Sequence, residues 1–122
     1  MVTHLSLGVS CLPMYPPGRP EAAFHFVNNP IRGNEHIQNL VKKGYIIRTR
    51  SDSGTKEARS GNISKREAAL NSGAQIISTD YYLEDERFGT GYQVKIPGRT
   101  VARFNPILRP NLKTSTFIEN LE

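Results

Sequence analysis

Apolar positions along the chain fall into short alternating runs separated by two helical stripes. Leu5, Leu7 and Val9 alternate with Ser6, Gly8 and Ser10, which is the period of a strand. Tyr15-Pro16-Pro17-Gly18-Arg19-Pro20 then imposes a loop. Residues 22–27, ahead of Asn28-Asn29-Pro30, suit a short strand or a single helical turn, and the strand is the expectation. From residue 34 the period becomes helical. Asn34 is placed to cap a helix that carries Ile37, Leu40 and Val41 on one face, with Lys42 and Lys43 at its negative end and Gly44 just past it. Tyr45-Ile46-Ile47 follows as a strand and runs into Arg48-Thr49-Arg50-Ser51-Asp52. The same signals then repeat. Ser64-Lys65-Arg66-Glu67 fits a capping box, Ala68, Ala69 and Leu70 supply the helix, and Gly73 ends it. Ala74-Gln75-Ile76-Ile77 is the next strand, running into Ser78-Thr79-Asp80-Tyr81-Tyr82.

Two helix–glycine–strand units in series predict parallel strands in an α/β layer, placed side by side by a right-handed crossover. Each strand begins apolar and finishes polar. Ligands of such sheets and barrels bind at the carboxyl ends of the strands. Arg48, Arg50, Asp52, Ser78, Thr79, Asp80 and Tyr81 are therefore expected on one rim. Beyond them, Tyr92-Gln93-Val94-Lys95-Ile96, Pro97-Gly98-Arg99 and Thr100-Val101-Ala102-Arg103-Phe104 predict a β-hairpin ended by Asn105-Pro106. The expected organisation is a strand and Pro-rich loop over residues 1–30, the two helix–strand units over 31–82, a loop and hairpin over 83–106, and a tail over 107–122.

Composition sets outer limits. With 122 residues, 37% hydrophobic and 22% charged, the chain is one domain or a piece of one, and too apolar for outright disorder. No apolar run approaches the ~18 residues of a membrane span. Met1-Val2-Thr3-His4 lacks the basic start and long apolar stretch of a signal peptide. The single cysteine, Cys11, excludes an internal disulfide framework and a cysteine-cluster metal site. Sixteen Lys+Arg against 11 Asp+Glu give a net charge of +5, which favours anionic ligands in general. The positive residues are spread along the chain and no aromatic residues interleave with a basic strip, so nucleic acid ranks last among them.

The chemistry concentrates at the ends of the two strands. Arg48 and Arg50 are two apart and so share a face. Under helices an unpaired charge would cost several kcal/mol (roughly); facing inward at a carboxyl end, each could meet a phosphate, with about 1.5–3 kcal/mol per charge-assisted hydrogen bond. A structural ion pair with Asp52 or Asp80 is the alternative. Asp80 is open to three roles: metal ligand, general base or arginine partner. Asp52, in Ser51-Asp52-Ser53-Gly54, reads more readily as a turn residue. Tyr81 and Tyr82 suit stacking on a sugar ring or closure of a rim. His4, His25 and His36 share no metal-pair spacing, with His36 expected in solvent and His25 as a polar strand position.

Four runs carry a resemblance: Pro20-Glu21-Ala22-Ala23-Phe24, Gly44-Tyr45-Ile46-Ile47-Arg48-Thr49-Arg50-Ser51-Asp52, Gly73-Ala74-Gln75-Ile76-Ile77-Ser78-Thr79-Asp80-Tyr81 and Ala102-Arg103-Phe104-Asn105-Pro106. From about residue 14 to residue 107 the chain resembles the C-terminal part of the calcium-dependent, bacterial-type phosphoinositide phospholipase C family. That family belongs to the wider group of phospholipase-C-like phosphodiesterases. The resemblance implies an α/β fold, the C-terminal portion of a TIM-type (β/α)8 barrel whose last two strands are residues 45–50 and 74–80. It implies a phosphoric diester hydrolase acting on a phosphoinositide or glycerophosphodiester, calcium in the parent enzyme, and a secreted location. Carried over by residue, Arg48 and Arg50 would face the phosphate or head group, with Asp80 on the rim beside them. With Tyr81 these are the expected substrate contacts; the metal ligands stay open, with Asp52 and Asp80 as candidates. The family's catalytic histidine pair lies in its N-terminal half, and His4, His25 and His36 do not align with it.

A closed barrel takes roughly 250 residues, so the expectation is a C-terminal fragment with Met1 an internal methionine, inactive alone. Its expected partners are the lipid substrate and either the missing barrel half or a second copy. The alternative is a non-catalytic basic module that holds anionic lipid head groups or a protein partner.

Overall fold

A computed structural model describes residues 2–3 (backbone only), 23–98 and 102–112. The alternating run at Leu5 to Val9, the Pro-rich loop, His4 and Cys11 lie outside the described residues, as do residues 99–101 of the expected hairpin and residues 113–122 of the tail. The elements in order are β1 (Val2–Thr3), β2 (Phe24–Val27), α1 (Asn34–Lys42), β3 (Ile46–Arg50), α2 (Lys56–Ser60), α3 (Ser64–Asn71) and β4 (Ile76–Ser78), followed by a 3-10 turn, Glu86–Phe88. The strands form one open parallel sheet in the order β1-β4-β3-β2. Its body is the three strands β2, β3 and β4, with the two-residue β1 along the edge of β4.

Period and register decide which side of the sheet is covered. His25 and Val27 lie on the same side as Ile47 and Thr49, and Ile77 joins them opposite Thr49. Against that side α1 sets Ile37, Leu40 and Val41, with Val27, Tyr45, Ala74 and Ile107 at the margin. α3 adds Ala69 and Leu70 over Ile77. A third cluster of Ala58, Tyr81, Tyr92 and Val94 joins α2 to the chain beyond β4.

The helix starts differ from expectation. Gly33, not Asn34, occupies the cap position of α1, and a Cβ there would stand 2.6 Å from Val27 Cγ1 and 2.9 Å from the Asn29 carbonyl. Asn34 is one residue inside, where it accepts from Gln38 at 2.9 Å and donates to the Ala68 carbonyl of α3 at 3.4 Å. The capping box at Ser64 does not form. Asn62 Oδ1 takes the Ser64 amide at 2.9 Å, and Glu67 turns to Arg66 at 3.0 Å. The two expected stops hold: Gly44 and Gly73 follow their helices with φ of 92° and 82°. The short helix α2 was not foreseen.

β4 starts at Ile76 rather than Ala74. Gln75 meets β3 through its side chain instead, accepting from the Ile47 amide at 2.8 Å and donating to the Tyr45 carbonyl at 3.1 Å. The hairpin is corrected more fully: no strand forms over residues 92–98 or 102–105. Tyr92, Val94 and Ile96 are buried and Lys95 is exposed, so the alternation is present without a partner strand. Val94 N–H donates to Tyr81 O at 2.9 Å, and Arg66 Nη1 donates to Gln93 O at 2.9 Å. The second arm is drawn elsewhere. Arg103 donates to the Leu70 carbonyl near the end of α3, and Asn105 Nδ2 to the carbonyl of Gly73 just past it at 2.7 Å, holding this segment against the helix terminus.

Candidate functional site

In β3 and β4, Arg48 stands beside Ile76 and Arg50 beside Ser78, and Phe26 of β2 stands beside Arg48. Partners in a parallel ladder share a face, so both arginines point away from the helices. Arg48 is only 7% exposed. Its Nε donates to Ser78 Oγ at 2.6 Å and its Nη1 to Asn28 Oδ1 at 3.1 Å, and its guanidinium lies 5.4 Å from the Phe26 ring centroid. All three partners are neutral. Burial, and after it the charge of Arg50, lowers the Arg48 pKa from the ordinary arginine value.

Arg50 is set differently. Its Nη2 lies 3.6 Å from Asp80 Oδ2, both side chains about one-third open to solvent (31% and 35%). At that distance and exposure the pair steers orientation more than it adds stability, which is about 0–1 kcal/mol for such pairs. Arg50 Nε is buried and has no hydrogen-bond partner among the described residues.

Asp52 organises the turn between them. It is fully buried. Its Oδ2 accepts from Ser51 Oγ at 2.8 Å and from Thr79 Oγ1 at 2.5 Å, and its Oδ1 accepts from the Asp80 amide at 3.2 Å. Thr79 Oγ1 in turn accepts from the Tyr81 amide at 2.9 Å. One carboxylate thus ties the end of β3 to the end of β4 and fixes the backbone from which Asp80 reaches Arg50. Hydroxyl and amide donors supply what a buried carboxylate requires in place of water.

Tyr81 is 7% exposed, and its hydroxyl donates to the Gly54 carbonyl at 3.0 Å. Its ring meets Tyr92 edge-on at 5.6 Å, and Tyr92 donates its own hydroxyl to the Ser51 carbonyl at 3.0 Å. Burial first, and then the Asp52 charge, raises the pKa of both phenols. Two tyrosines therefore buttress the rim from below.

Of the rim residues foreseen, Arg48, Arg50, Asp52, Ser78, Thr79 and Asp80 meet in one network, while Tyr81 turns its hydroxyl into the fold. His25 lies on the helix-covered side, edge-on to Tyr45 at 5.1 Å, and His36 is exposed on α1. Two side chains at the rim were passed over: Asn28, just after β2, and Lys65, which donates to Ser53 Oγ from the first turn of α3. The signal for Lys65 was topological. A helix returning between parallel strands begins where they end.

The two candidate metal ligands do not fit a calcium site as they stand. Calcium takes about 6–8 oxygen ligands. The Asp52 oxygens already receive three donors and Asp80 faces Arg50. Among the described residues no group of three His, Cys, Asp or Glu side chains comes together. No helix among the described residues is long and apolar enough to cross a membrane.

Compared with known proteins, the chain matches the family model described as phosphoinositide phospholipase C, Ca2+-dependent, over residues 7–106. No curated protein and no solved structure matches the chain.

Proposed function

The chain belongs to the Ca2+-dependent phosphoinositide phospholipase C family, and from that premise we propose that it is the phosphate- and head-group-contacting portion of a phosphoric diester hydrolase. The substrate class is a phosphoinositide or glycerophosphodiester. In this reading the open parallel sheet is the C-terminal part of a (β/α)8 barrel, and the parent enzyme carries calcium on ligands other than Asp52 and Asp80.

One observation carries the reading: two arginines share the face of the sheet turned away from α1 and α3 at the carboxyl end of β3, one buried on neutral acceptors and the other about one-third open beside Asp80. Arg48 supplies a fixed positive field, and Arg50 supplies donors to an incoming phosphate oxygen. Asp80 orients Arg50, and Asp52 holds Asp80. Tyr81 acts by bracing this turn. Such preset charge is how phosphoryl chemistry is stabilised as negative charge develops. The attacking hydroxyl and the leaving alcohol each need a proton-transfer group. His25 and His36 both stand away from the rim, so in this reading the described residues contribute phosphate contact and not proton transfer. The same positions favour a second reading, a basic module that binds anionic head groups without turnover.

The test measures binding and turnover on the 122-residue chain. Inositol 1-phosphate is expected to bind, and Arg50→Gln is expected to weaken it about tenfold, the value of one charge-assisted contact. Phosphatidylinositol should not be hydrolysed. Turnover abolished by Arg50→Gln would reject the fragment reading and keep the chemistry. An Arg50→Gln chain that binds like the parent would reject the site.

A further inference from the structure

The rim holds cationic donors that the fold does not use. Arg50 Nε is buried and, among the described residues, without a partner, while its Nη2 is 3.6 Å from Asp80. Lys65 leans from α3 onto the loop after β3 and donates to Ser53 Oγ. An ammonium has three donors, and among the described residues Lys65 forms no salt bridge. The carboxylates whose charge reaches it are engaged elsewhere. Glu57 accepts the Ser53 amide at 2.8 Å, and Asp52 is filled by Ser51, Thr79 and the Asp80 amide. Burial lowers the Lys65 pKa most, with the charges of Arg50 and Lys56 adding to that and those of Glu57 and Asp52 opposing it. Arg50 and Lys65 are thus two cations near enough for the charge of one to act on the other, each with donors that no acceptor among the described residues fills, the arrangement that suits an anion.

We propose that Lys65 and Arg50 form a clamp for a phosphate group, with Ser53 Oγ holding the Lys65 ammonium in place. The clamp deepens the head-group reading above and rests on it for the ligand's identity; the bare chemistry is that of a phosphate oxygen, from an inositol phosphate or from free phosphate. Lys65 is then a substrate contact supplied by α3 rather than by the strands.

The test titrates the full chain with inositol 1-phosphate and, separately, with inorganic phosphate at low salt, for the parent, Lys65→Gln and Lys65→Arg. Lys65→Gln should weaken both ligands about tenfold. Lys65→Arg should retain most of the affinity, and inositol 1-phosphate should bind more tightly than inorganic phosphate. A Lys65→Gln chain that titrates like the parent overturns the clamp. So does an equal loss in both variants, or binding of neither ligand by the parent. Equal affinity for the two ligands with the Lys65 loss intact leaves the clamp standing and rejects the head-group reading.

Discussion

The two faces of the sheet are built on opposite terms. On the helix-covered face Ile47 is fully buried among the apolar side chains of Ile37, Leu40 and Val41. On the other face Arg48 is nearly as buried, yet it is held by Ser78, Asn28 and the Phe26 ring. The first face gains free energy from removing apolar area from water, at about 25 cal/mol per Å². The second gains little net stability, since each hydrogen bond nets only about 0.5–1.5 kcal/mol, but it fixes where charge sits. A strand of five residues, Ile46–Arg50, serves both because its period is two. The difference teaches that substitutions on one face should change how much protein is folded, and those on the other what the folded protein binds.

The largest expected effect is on the apolar face. Ile47→Ala should cost about 2–5 kcal/mol, read as a fall in the urea midpoint, with inositol 1-phosphate affinity unchanged among folded molecules. A matching loss of affinity at low temperature, where the chain is still folded, would show the two faces to be coupled. Next is Asp52→Asn, which keeps volume and turns an amide donor toward the Ser51 and Thr79 hydroxyls. It should cost about 1–3 kcal/mol and, unlike Ile47→Ala, weaken anion binding in proportion to the disorder it introduces at Asp80. Stability and affinity both at parent values would remove Asp52 from its positioning role.

The smallest effect is Tyr92→Phe, which should cost about 1 kcal/mol through the lost bond to the Ser51 carbonyl. Its diagnostic is alkaline pH. Tyr92 has a raised pKa in the fold, chiefly by burial, so near pH ~10 the unfolded chain releases a proton that the folded chain keeps. Stability is therefore full below that pH and declines as pH rises beyond it. Denaturation across pH 9–11 or so should show a shallower decline in the phenylalanine variant. Parallel curves would assign the alkaline loss to other groups, Tyr81 first.

The chain pattern made much of this legible. Ile37, Leu40 and Val41 gave α1 its buried stripe, and the paired helix–glycine–strand signals gave β3 and β4 and their parallel pairing. The rim followed from the polar ends of those strands. Illegible were the details that depend on competition for partners. Gly33 takes the cap position in place of Asn34, at a point where Val27 of β2 passes too close for a Cβ. Residues 92–96 kept the alternation of a strand, but Arg103 and Asn105 went to the end of α3, and among the described residues no strand pairs with them.

What the sequence determined by itself was local: the periods of helix and strand, the left-handed stops at Gly44 and Gly73, and the shared face of Arg48 and Arg50. Each follows from sterics within a few residues of chain. What only the tertiary structure decided was pairing. Asp80 was equally available to Arg48 or to Arg50, and it reached Arg50 because Asp52, held by Thr79 27 residues further on, set the direction of the turn. Lys65 became a rim residue for the same reason: α3 begins where β3 ends, and Ser53 stands within reach of its ammonium. Separation along the chain carries no information about such distances, and only the packed sheet and its helices supply it.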